Sequence, residues 1–137
     1  MALETVLMVE LELPVAFTCA DGTGIEKGAL LTLSDPATVA TTTGDTDAII
    51  GIAAEEKIAS DGNTTISVYM RGIFKGFAGS AGTTAGVALI SDTATGAANE
   101  LVKADVDSEH IVGRALETAT DTQSFLFLLE PFNVNLA

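Results

Sequence analysis

The chain has 137 residues with 19 acids against 6 bases, a net charge of −13. That balance argues against direct nucleic-acid binding, which needs clustered Lys and Arg, and against an anionic membrane surface. The length fits one domain (1–137), large enough to bury roughly 65–70% of its unfolded surface.

Leu7, Val9, Leu11 and Leu13 alternate with Met8, Glu10 and Glu12, which suits a strand better than a helix. This segment, 1–13, reads either as an edge or core strand or as an arm reaching a neighbouring subunit. It carries Glu4 and no basic leader, and no run approaches the roughly 18 apolar residues of a membrane span. Synthesis and folding in the cytoplasm are therefore expected. Pro14 cannot donate to a ladder. Cys19 is the single cysteine; it can form no internal disulfide and reads as a small buried hydrophobe.

Asp21-Gly22-Thr23-Gly24 is a turn signal. A short strand is expected over 28–34, then a Thr-rich polar stretch from Ala37 to Asp47, then an apolar strand over 48–54 with Glu55-Glu56-Lys57 as a solvated exit. Residues 64–74, with Ile66, Val68 and Met70 on one face, predict a single central strand of an all-β domain. Phe77 to Ala85 is rich in Gly, Ala, Ser and Thr, and is expected to be exposed and mobile. Strands follow over 86–91, 110–117 and 123–130. Pro131 is expected to stop the last one and leave 131–137 as a tail.

The order contains an approximate repeat. Gly28-Ala-Leu-Leu-Thr-Leu-Ser-Asp35 resembles Gly86-Val-Ala-Leu-Ile-Ser-Asp92, and Ile49-Ile-Gly-Ile-Ala53 resembles Ile111-Val-Gly-Arg-Ala115. Two copies are too few for a solenoid. They suit a compact β-barrel or sandwich-like single domain, with long loops and an extended N-terminal segment.

The residues for chemistry are sparse. His110 is the only histidine, and no G-x-S-x-G surrounds any serine. It reads as a solvated residue at a strand start. Asp105, Asp107 and Glu109 alternate, as do Asp45 and Asp47; such oxygens can hold Ca²⁺, but neither stretch has the EF-hand order, and solvated carboxylates are the simpler reading. Gly22-Thr23-Gly24 and Gly79 to Gly82 lack the Lys-Ser/Thr ending of a phosphate loop. No catalytic residue, metal or cofactor is expected, and no enzymatic activity.

Lys27-Gly28-Ala29-Leu30-Leu31, Ile50-Gly51-Ile52-Ala53, Ile66 to Phe74, Ala85-Gly86-Val87-Ala88-Leu89 and Val112-Gly113-Arg114-Ala115 come in an order that resembles the capsid decoration (head-stabilising, cement) proteins of tailed bacteriophages and related viruses. The likeness spans roughly residues 25 to 130. It implies a β-rich domain on the outer surface of an icosahedral virion shell, a homotrimer, contacts to the major capsid protein, and no catalysis. The apolar Met1–Leu13 segment departs from it. A head-fibre base, a tail-tube or pilin-like subunit, and a ligand-binding barrel are the rival readings. The termini are free to cross subunit boundaries, so Leu3, Val6, Leu7, Val9, Leu11, Phe132, Val134 and Leu136 are the candidate capsid or subunit contacts. High acidity keeps a many-copy protein soluble before assembly, and also suits a saline environment.

Overall fold

The computed structural model describes residues 5–43, 48–92, 100–104 and 109–134. The chain is all-β. Eleven strands are described: β1 (Val6–Glu10), β2 (Val15–Cys19), β3 (Leu30–Ser34), β4 (Thr38–Thr41), β5 (Ile49–Ala53), β6 (Thr65–Tyr69), β7 (Gly72–Phe77), β8 (Ala88–Ser91), β9 (Leu101–Lys103), β10 (Glu109–Ala115) and β11 (Ser124–Val134). Strands β2-β4-β3-β5-β6 close into a barrel, and β1-β7-β11-β10-β8-β9 form a second sheet. That sheet curls until its edge returns. Ala78, just past β7, bridges Leu101 of β9 in parallel, and the Gly79 N–H donates to the Leu101 carbonyl at 2.9 Å. The molecule is thus two five-stranded barrels, β2–β6 and β7–β11, with β1 added outside the second.

The approximate sequence repeat is a structural duplication. Val15 pairs with Val68 in the first barrel as Phe74 pairs with Phe127 in the second. Leu31 pairs with Gly51 as Leu89 pairs with Gly113, and the parallel contact of Cys19 with Val39 recurs as Ala78 with Leu101. Gly28 and Gly86 turn into β3 and β8 at φ 87° and 90°, a conformation that glycine adopts freely. A Cβ on Gly51 would run into the Tyr69 carbonyl oxygen, and one on Gly113 into that of Leu128, so both positions carry glycine for the same close approach.

The interiors correspond side chain by side chain. Cys19, Leu31, Val39, Ala53, Ile66 and Val68 fill the first barrel; Ala78, Leu89, Leu101, Ala115, Phe125 and Phe127 take the matching places in the second. Leu30, Ile49 and Ile52 of the first barrel join the second core instead, which welds the two into one body. Burying apolar surface there is the main driving force, at about 25 cal/mol per Å².

Several sequence expectations are corrected. Residues 64–74 are two strands in different barrels, because the chain crosses over at Met70-Arg71. The polar stretch from Ala37 contains β4, whose Val39 is 1% exposed. The Phe77–Ala85 loop is tied down: Ala78 and Thr83 are buried, and Thr83 exchanges hydrogen bonds with Ala119. Pro131 does not stop β11. The ladder with β10 shifts register between Ile111 and Gly113, and β7 ends opposite Leu129. Pro131 therefore sits at a bulge on an edge that has lost its neighbour, where a missing N–H costs little. His110 is half-buried in β10 opposite Asn133, not solvated.

Candidate contact surface

Within the chain, β1 is an edge strand. It runs antiparallel to β7, with Val6 opposite Lys75 and Glu10 opposite Gly72. Its ends are fixed to the first barrel. The Thr5 hydroxyl donates to the Gly28 carbonyl at 2.7 Å, and Glu10 hydrogen-bonds Tyr69, whose phenol is pushed up by burial and then by that carboxylate. β1 therefore staples one barrel to the other.

A register shift between Leu7 and Val9 breaks the expected alternation. Leu7 packs on the core, but Val9 turns outward. Val6, Met8, Val9, Leu11 and Leu13 are all exposed, from 46% to 76%. Most large exposed apolar side chains among the described residues fall between Val6 and Val15. Scattered exposed apolar side chains are ordinary on a protein surface, but these are concentrated along one stretch of chain.

Of the remaining candidates, Phe132 is 55% exposed on the end of β11, against Ile111. Val134 closes β11 opposite Glu109. Glu10 and Leu129 flank Gly72 from its two sides, so the end of β1 and the overhang of β11 emerge at the same end of the sheet. The structure thus gathers Val9, Leu11 and Phe132 at one end. Leu3 and Leu136 lie outside the described residues, as do Asp45, Asp47, Asp105 and Asp107 of the weighed cation sites. The Arg71–Glu130 pair at that end, at 3.5 Å with both side chains about half exposed, contributes little.

Sequence reasoning missed Lys57. Far from a solvated exit, its side chain is 2% exposed. Its ammonium donates to Asp61 Oδ1 and the Ile58 carbonyl, each at 2.7 Å, and to the Asp21 carbonyl and Oδ1 at 3.0 and 3.1 Å. Burial alone pulls the Lys57 pKa down, but the bonds to Asp61 and Asp21 outweigh it and hold it up. Lys57, helped by the Asn63 N–H, holds the Asp61 carboxyl at about 2. The cluster pins the 21–24 turn to the 58–63 turn; the carboxylate at Asp61, four residues after Lys57, was the only signal for it. Among the described residues no group of three or more His, Cys, Asp and Glu is placed to share a metal ion.

No protein-family model and no curated protein matches the chain. A solved structure does: the head fiber gp8.5 N base of bacteriophage phi29, at 19% identity and a TM-score of 0.56, covering 89% of this chain and 98% of that one. The likeness runs through nearly the whole of both chains, so the chain shares the fold of that phage protein.

Proposed function

We propose that the chain is a structural subunit of a virion head. It docks on the outer surface of an icosahedral shell as a homotrimer and stabilises the shell by bridging major capsid protein subunits. The observation that carries this reading is the fold shared with a phage head fiber base over nearly the full length of both chains. The sequence motifs in their decoration-protein order point the same way, and the exposed apolar end of the sheet supplies a surface for docking. The role needs no catalysis and no cofactor.

The same neighbour favours a second reading, in which the chain is the base of a fibre rather than a cement. One experiment separates them. Bare shells are mixed with purified protein, sedimented, and heated. A cement co-sediments and raises the temperature at which shells break. A fibre base co-sediments and leaves that temperature unchanged. Protein that stays in the supernatant over the bare shells overturns both. Because β1 staples the barrels, the contact residues are tested by charge at exposed positions, Val9→Asp and Leu11→Asp, and not by deleting the strand. Both variants should fold, and both should lose shell binding by tenfold or more.

A further inference from the structure

The duplication shows an edge that one barrel has covered and the other has open. In the second barrel, Leu126 spends its N–H on Glu117 Oε1 and its carbonyl on the Leu116 N–H. Its partner Lys75 therefore turns its own peptide groups to the other side, where β1 supplies Val6. In the first barrel, Ser67 spends its N–H on Glu55 Oε2 and its carbonyl on the Ala54 N–H. Its partner Ala16 likewise turns its peptide outward. No strand among the described residues lies there. The next outward N–H, of Thr18, is taken by the Ala37 carbonyl at 3.3 Å. The open rim is thus Leu13–Ala16, where Leu13 is 76% and Val15 43% exposed. β1 has an open outer edge of its own, because it ends the sheet.

We propose that these two edges meet between copies of this chain, the outer edge of β1 in one copy pairing with the β2 rim, Leu13–Ala16, of the next. Three observations choose a second copy as the occupant. The sister rim on β7 already accepts β1, so the site suits an extended strand of that chemistry. Half of the large apolar side chains left exposed among the described residues, Val6, Met8, Val9, Leu13 and Val15, lie on these two edges. Leu13-Pro14-Val15-Ala16-Phe17 carries no charge, so this is a surface on which two chains of net charge −13 meet without opposing carboxylates. Pro14 has no N–H to offer, which limits pairing to the Ala16 peptide and the Pro14 carbonyl and keeps the register short. The two edges are different surfaces of one molecule, so the contact is head-to-tail, a kind that builds a ring where the rotation between copies closes, as the homotrimer of the proposed function requires. The inference rests on the homotrimer of the proposed function and names the strands that build it.

The test is mass in solution by light scattering, on wild type, Met8→Glu on the β1 edge, and Ala16→Pro and Val15→Lys on the β2 rim, with circular dichroism as a check of fold. Wild type should run at a multiple of 14.0 kDa, and each variant should fall to a single chain. Val15→Lys stands in if Ala16→Pro does not fold. Mixing Met8→Glu with a β2-rim variant leaves one intact β1 and one intact rim. The mixture should form a pair as concentration is raised, and nothing larger. Rim variants that keep the wild-type mass, or a mixture that stays single-chain at every concentration, overturn the inference. So does a wild type that runs as one chain; co-sedimentation of that same sample with shells then decides the proposed function separately.

Discussion

The two barrels share their strand order and pairing, yet they are filled differently. Ile66 and Val68 of the first become Phe125 and Phe127 in the second, and Val39 becomes Leu101. Room for the larger rings comes from the wall. Gly76 stands where the first barrel has Phe17, and a Cβ there would come within 2.9 Å of the Phe127 ring. The first barrel instead has the buried Lys57 cluster between its turns, where the second has Ala119, bridged to Thr83. One topology is thus held in two ways: by aromatic bulk with stacked and tilted rings about 6 Å apart, and by a smaller core reinforced with an ion cluster. A closed five-stranded frame fixes the backbone and leaves the choice of filling open.

The comparison breaks hardest at matched core positions. Phe127→Ala should cost about 3–5 kcal/mol, whereas Val68→Ala, losing two methyl groups, should cost about 2 kcal/mol. Chemical denaturation of the two variants reads the difference. Equal losses would mean that the two cores carry equal weight.

The close approaches sharpen the equivalence. Gly51→Ala and Gly113→Ala each drive a methyl group into a strand carbonyl. Each should destabilise by about 1–3 kcal/mol, and the two values should agree, because the geometry is the same in both barrels. A harmless change in one barrel alone would break the match.

The subtlest difference is in acid. Asp61 is held at about 2 against an ordinary 3.8. The folded protein therefore takes up that proton less readily than the unfolded chain. The cluster's contribution is whole above about pH 4 and is lost as pH falls toward 2. Lys57 is held above its ordinary 10.5, so its share is whole below that value and lost as pH rises past it. Lys57→Met should lower the urea midpoint at pH 6, and the gap from wild type should narrow steadily between pH 4 and pH 2. A constant gap across that range would detach Asp61 from the cluster.

Much of the first and second barrel was legible as strands, because β3, β5, β8 and β10 are short apolar runs bounded by Gly, Asp and Ser. The crossing at Met70-Arg71 was not. The alternation of Ile66, Val68 and Met70 is interrupted at Gly72 and resumes at Ile73-Phe74, which reads as a bulge within one strand and does not say that the partners change. β2 was hidden because Val15–Cys19 is five residues between Pro14 and a turn, and β4 because its threonines read as polar loop. Their strand character comes from pairing. Of the candidate surface, the apolar character of β1 was visible, but its exposure was not. That follows from a register shift after Leu7 and from β1 lying at the end of a sheet. Lys57 looks solvent-facing in the sequence because lysine usually is.

Each barrel is sealed by its first strand meeting its last, β2 with β6 and β7 with β11, so closure waits for partners far apart in sequence, the slow kind of contact to form. During synthesis the first barrel can close as soon as Tyr69 is available. Leu30, Ile49 and Ile52 then remain uncovered until the second barrel arrives to bury them, an interval in which the chain is open to misassembly. Tyr69, the sole tyrosine in a chain without tryptophan, lies edge-on to Phe74 at 5.8 Å across this junction. Its fluorescence is a built-in clock for the moment when the two halves dock.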